Sequence, residues 1–205
     1  MKKPLFGTLS FLVIFFSGIM FADVPRGPFA YVATSSSGKY YFEMLPPQWE
    51  SGVRKNDGFG IAYQLLRDGT NKEMWRTDGW YSLEVFLSED GSHLVRVESE
   101  ILGHEPSCND LAVAFYENGK LLKQYSTADL VRDKTKVVAT VSYYRWQASD
   151  VDRRQEMVSG VKVKDELAEP RLLWWEKTFR LKTCDGIVYV FDITTGNIKK
   201  DSGNQ

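Results

Sequence analysis

The sequence is poor in the side chains that carry most enzyme chemistry. Its 205 residues include two histidines, His93 and His104, and two cysteines, Cys108 and Cys184. No G-x-S-x-G elbow, H-E-x-x-H helix, phosphate-binding loop or EF-hand loop occurs, so those motif-defined hydrolases and metal sites are excluded. Nothing in the motifs asks for a cofactor. An excess of charge is also lacking: 26 Lys and Arg stand against 27 Asp and Glu. A nucleic-acid partner needs a basic stripe to neutralise phosphates, and none is present. Six Trp, ten Tyr and twelve Phe separate the chain from disordered polymers, which cannot bury enough apolar surface to fold.

Long apolar runs are confined to the start. Lys2 and Lys3 precede an apolar stretch from Leu5 to Phe21, and Ala22 then leads into the polar "DVPRG". That order of charge, apolar stretch and small residue reads as a secretory signal peptide over residues 1–22. An uncleaved anchor is the alternative, because the stretch is only slightly shorter than the ~18 to 20 residues that span a bilayer. No later segment is apolar enough to cross one. Residues 23–205 are then expected to form one exported β domain with a single core, secreted or periplasmic. In an oxidising compartment Cys108 and Cys184 are either one disulfide or two separate thiols, since sequence does not show whether their Cα atoms come within bonding range.

What the chain has in quantity is glycine-ended turns between alternating runs. "VFLSEDGSHLVRV" turns at Glu89-Asp90-Gly91, and a three-residue loop there pairs Val85 with Val95 and places Glu84 opposite Arg96. The two-residue alternative pairs Val85 with Arg96, mixing apolar with polar, and is disfavoured on that ground. The same shape recurs at Ser36-Ser37-Gly38, Arg67-Asp68-Gly69, Glu117-Asn118-Gly119 and Cys184-Asp185-Gly186. At Asn118-Gly119 a two-residue turn fits equally well. Glycine supplies the left-handed backbone such turns need. About five hairpins predict an all-β antiparallel meander that is propeller-like, a sandwich or an open barrel.

Individual stretches resemble propeller blades. "LSEDGSHLVRV" is similar to the Ser-x-Asp-Gly hairpin of TolB-like blades. "GIVYVFDITTGNI" is similar to the closing strands of quinoprotein or WD40-like blades. The order from "TDGWYSLEVFLSEDG" to "GHEPSCNDLAVAFYENGKLLKQYSTADLV" resembles exported bacterial proteins of unassigned function. The resemblance implies location and fold at most, with room for about four blades at ~40 to 45 residues each.

Outside the hairpins, "PPQWESGVRKNDGFG" reads as a long loop. Ser126 with Asp129 three residues on predicts a capping box opening one short helix. Residues 147–170 form a polar excursion, either exposed or carrying a short helix over 151–158. The tail "KKDSGNQ" is expected to fray.

Three kinds of site merit weighing. "GHEPSCND" gathers His104, Glu105, Cys108 and Asp110, side chains that could ligate zinc, yet no second cluster with ligand spacing supports a metal. The plainer reading is a polar connection, and His93 is read as a partly buried strand residue. Paired carboxylates could serve glycoside hydrolysis, but most Asp and Glu lie in turns, where hydrogen bonding to the local backbone accounts for them. Aromatic side chains remain. Trp49 and Trp80 sit at loop ends, and adjacent Trp174 and Trp175 must point to opposite faces if they lie in a strand. Trp49, Trp80 and Trp175 are therefore the ligand-binding candidates, with no catalytic residue assigned. The expected function is a non-enzymatic exported domain binding a protein or glycan of the cell envelope or outside the cell. The rivals are an envelope-polymer hydrolase with a carboxylate pair and a structural subunit of a propeller or repeat assembly.

Overall fold

The computed structural model describes residues 27–99, 101–148 and 170–202. The stretch read as a signal peptide and nearly all of the stretch read as a polar excursion, or as a short helix over 151–158, lie outside the described residues. Within them the chain is almost wholly antiparallel β-structure. Strands β1 (Tyr31–Thr34), β2 (Tyr40–Leu45), β5 (Phe59–Leu65) and β6 (Asn71–Asp78) form a first sheet in the order β1-β2-β5-β6. A second sheet runs β7 (Glu84–Leu87), β8 (His93–Val97), β10 (Leu111–Glu117) and β11 (Lys120–Ser126). A third four-stranded sheet, β14 (Arg171–Leu173), β15 (Thr178–Lys182), β16 (Val188–Asp192) and β17 (Ile198–Asp201), follows the same meander. A small sheet of β9 (Ile101–Leu102), β12 (Val138–Ala139) and β13 (Tyr143–Arg145) joins them. Each four-stranded meander has the topology of a propeller blade.

All five glycine turns predicted from the sequence are hairpins, with Gly38, Gly69, Gly91, Gly119 and Gly186 at φ of +68°, +84°, +69°, +78° and +87°. The 67–69 and 184–186 turns are three-residue loops as expected, and Phe179 faces Phe191 and Leu181 faces Tyr189. A bulge between Ala62 and Tyr63 shifts the far end of β5–β6, so Ala62 faces Trp75 rather than Met74. At 118–119 the two-residue turn wins, with Asn118 also left-handed at φ +48°.

Two registers differ from expectation. Val85 pairs with Arg96 and Glu84 with Val97, the pairing that mixing of polar and apolar residues had disfavoured. The β1–β2 hairpin has the corresponding one-residue offset. In both, a serine side chain takes over the turn: Ser88 Oγ accepts from His93 N at 2.9 Å and Ser35 Oγ from Tyr40 N at 3.2 Å. The loops thereby enclose four residues. The mixed pairing is tolerated because the second sheet is covered on both sides, so apolar residues have a core on either face.

Two cores, not one, result. Val113 and Phe115 of β10 face a cluster with Trp146, Phe179, Leu181 and Phe191 toward the third sheet. Ala114 and Tyr116 of the same strand face a second cluster with Phe42, Met44, Trp75 and Trp80 toward the first sheet. The one α-helix among the described residues, α1 (Thr127–Leu130), has both arms of the expected capping box between Ser126 and Asp129. "PPQWESGVRKNDGFG" is not a plain loop: β3 (Trp49–Glu50) and β4 (Val53–Arg54) form a small hairpin there. The tail does not fray up to Ser202, because β17 pairs with β16 and the Ser202 hydroxyl accepts from Val188 N at 2.9 Å. No helix among the described residues is long and apolar enough to cross a membrane.

Candidate functional site

Three hairpin tips from the first two sheets meet. The Ser36 hydroxyl of the β1–β2 tip donates to Glu89 of the β7–β8 tip, and Ser37 N donates to the same Glu89 oxygen at 3.1 Å. Asn118 N of the β10–β11 turn donates to Ser92 O at 2.8 Å. Between these tips and the third sheet lies a cleft of about 480 Å³, lined among others by Lys39, Tyr40, Asp90, His93, Trp175 and Lys177.

The side chains on its floor are fixed by their own turn or by a neighbouring one. Asp90 Oδ1 accepts from the Ser88 hydroxyl at 2.6 Å and from Ser92 N at 3.0 Å. Burial alone would raise this carboxyl, but the Ser88 and Ser92 bonds and nearby His93 bring it down to about 2. Glu89 is likewise held below the usual carboxylate range, by the Ser36 hydroxyl first and then by Ser37 and Lys39. Both groups are therefore anionic at neutral pH, and neither keeps a proton for general acid catalysis. His93, in β8, is mostly covered, with Nδ1 2.8 Å from the Ser92 hydroxyl and Nε2 3.7 Å from Glu117. This agrees with its reading as a partly buried strand residue.

Trp175 is 61% exposed in this cleft. It does not lie in a strand: Trp174–Glu176 form a 3-10 turn between β14 and β15, so the opposite-face argument for the Trp pair does not apply. Lys177 follows at φ +49°, a left-handed conformation uncommon for a residue with a β-carbon. Its carbonyl accepts from Ile193 N at 3.1 Å, which ties the turn to the β16–β17 connection.

The other candidates are placed elsewhere. Trp80 is buried at 9% exposure, a correction to its expected openness. Its indole N–H donates to the Thr77 hydroxyl at 2.7 Å, and its ring lies 5.4 Å from Tyr116 with the Arg96 guanidinium 4.6 Å above it. A loop end closing a core is covered as fully as a strand. Trp49 is exposed at 62%, with Arg54 over its ring at 5.9 Å. Arg54 and Trp80 border a second, more open cleft of about 660 Å³ with Tyr81, Arg96 and Glu98. Burial pushes the Glu98 carboxyl up there although Arg96, 2.6 Å away, opposes it. The three tryptophans thus do not form one patch.

No disulfide joins Cys108 and Cys184. Neighbouring bonds hold each in its own turn: Ser107 N donates to the Thr127 hydroxyl, and Cys184 N donates to Trp146 O. Among the described residues no group of three metal-capable side chains forms. His104 and Glu105 are exposed, while Asp110 is half-buried and accepts from the Tyr144 hydroxyl at 2.9 Å. Tyr144 also lies 2.7 Å from the Thr127 hydroxyl, and burial foremost moves its own hydroxyl up to about 12. Asp110 is therefore a structural acceptor linking β13 to the start of α1. Sequence reasoning missed Lys39, Tyr40, Glu89 and Lys177 as neighbours of Trp175. Lys39 and Glu89 each lie in a hairpin tip, and a signal for them existed in the repeated turns.

No family model matches the chain, and no curated protein matches it. Solved structures with some likeness include a Bacteroides fragilis protein described as a 6-phosphogluconolactonase, at 16% identity and a TM-score of 0.35 over 84% of this chain and 37% of that one. Saccharomyces cerevisiae Sqt1 matches at 11% identity and 0.29, over 80% of this chain and 47% of its own. The WD40 β-propeller domain of Doa1 matches at 12% and 0.28, over 86% and 55%. The chain therefore spans about half or less of these three structures. Likeness at this level carries no argument about activity.

Proposed function

We propose that this protein is an exported, non-enzymatic binding domain that captures a glycan in the cleft at Trp175. The observation carrying this reading is an exposed indole set among hydroxyl and carboxylate acceptors on a rigid floor. A flat aromatic face buries the apolar side of a sugar ring, while acceptors around it take the ring hydroxyls. The floor costs little to organise, because Ser36, Ser37, Ser88 and Ser92 already hold its carboxylates. Hydrolysis is the weaker reading: a carboxyl kept protonated is required, and both carboxyls of this cleft are shifted the other way. Export rests on the order of charge and apolar residues at the start of the chain.

The test is calorimetric titration of the mature domain against a panel of soluble oligosaccharides. At least one binds the native protein, and Trp175→Ala weakens it about tenfold or more with an unchanged melting temperature. Binding that survives Trp175→Ala, or a panel with no ligand at all, refutes the assignment.

A further inference from the structure

We infer that the Trp175 cleft selects acidic sugars, its two lysines receiving a carboxylate carried by the ring that stacks on the indole. This rests on the glycan reading above and goes beyond it by naming the ligand's charge. Lys39 and Lys177 line the cleft from opposite sides in the chain, one from the β1–β2 tip and one from the turn after Trp175. Among the described residues neither forms an ion pair, whereas Asp90 is bound by its own turn and Glu89 by Ser36 and Ser37 of the neighbouring tip. Every described bond to Glu89 falls on Oε2 and every one to Asp90 on Oδ1. Glu89 Oε1 and Asp90 Oδ2 are left as acceptors for hydroxyl donors. An ammonium offers donors and no acceptor, so what it adds to this set is recognition of an anion.

The three functions come from three elements, the two tips and the turn that holds both Trp175 and Lys177. Trp175 supplies a face, Glu89 and Asp90 supply acceptors, and Lys39 and Lys177 supply charge. A hexuronate presents the matching groups: an apolar ring face, hydroxyls and one carboxylate. The left-handed backbone at Lys177 supports a specific placement. Such a conformation has a cost for a residue with a β-carbon, and here it falls on the lysine two residues after the indole. Two lysines against two carboxylates leave no large net field, so selectivity comes from contact rather than from long-range attraction. Binding should therefore weaken only moderately with salt.

The experiment titrates the mature domain with trigalacturonate and with its methyl ester, which keeps the ring and hydroxyls but not the charge. The acid is expected to bind about tenfold more tightly than the ester, a difference of the size of one charge-assisted hydrogen bond. Lys39→Ala and Lys177→Ala should each remove most of that preference while leaving the weaker ester binding intact. Trp175→Ala should weaken both ligands. All three side chains are exposed, and circular dichroism of the variants checks that the fold is kept. Equal affinity for acid and ester, or a preference unchanged in both lysine variants, overturns the acidic-sugar inference but leaves glycan binding standing. No binding of trigalacturonate or its ester overturns the inference, and it overturns the glycan reading as well if the neutral panel is also silent.

Discussion

Gly119 occupies a position that no other residue type can fill without moving a neighbour. Its φ is +78°, and a β-carbon there would stand 2.1 Å from the carbonyl oxygen of Arg76, on the next sheet. Gly69 has a similar φ of +84° but nothing within 4 Å of the same position. The two separate backbone strain from close approach. Gly69→Ala is expected to cost about 1 kcal/mol, the penalty of a left-handed L-residue. Gly119→Ala adds displacement of a sheet and should cost roughly 2 to 4 kcal/mol. Urea unfolding of the two variants gives both numbers, and equal losses would show that the Arg76 contact yields freely. At this scale the turns were legible, because Asp-Gly and Asn-Gly are read from two adjacent letters. The close approach of Gly119 to Arg76 was not, since it joins residues far apart in the chain.

Hairpin tips are held by their own side chains, and Asp90 is the clearest case. Its carboxyl stands at about 2, below the ordinary value of 3.8, as the sum of burial and the opposing Ser88, Ser92 and His93 interactions. A carboxyl lowered by folding stabilises the folded state above its unfolded value, and that contribution is lost as pH falls through the folded one. Asp90 therefore helps the fold fully above about pH 4, and its help fades toward pH 2. Asp90→Asn should lower the urea midpoint at pH 6, and the gap from the native protein should narrow on titration from pH 4 to 2. A gap that is constant with pH would mean that Asp90 acts by shape alone. The same bonds explain why the hairpin was foreseen and its register was not. Ser88 and Ser35 widen their loops by one residue, and a side chain accepting a backbone N–H is invisible to a rule that scores only cross-strand pairs.

For the molecule as a whole, the decisive feature is a middle sheet with two buried faces. From sequence, an alternating strand is assumed to have one core side. On that assumption Trp80 reads as an exposed loop residue, although it closes the second core against Phe42 and Tyr116. Trp175 was identified correctly as exposed, but its surroundings come from three sheets and no local pattern gathers them. The two-faced sheet also carries a prediction. Phe115 points into one core and Phe42 into the other, both fully buried, and β10 lines both cores through successive residues. Loss of packing on one side removes the support of the other, so the cores should melt together. Phe115→Leu and Phe42→Leu are each expected to cost about 1 to 2 kcal/mol, enough to read and too little to unfold the chain. Scanning calorimetry should show one transition in the native protein and one, moved down by several degrees, in each variant. If Phe42→Leu instead split the transition, with one part keeping the native melting temperature, the first sheet would be an independent unit. The tip contacts between Ser36, Ser37 and Glu89 would then be a hinge between bodies, and the cleft at Trp175 would change shape when that hinge moves.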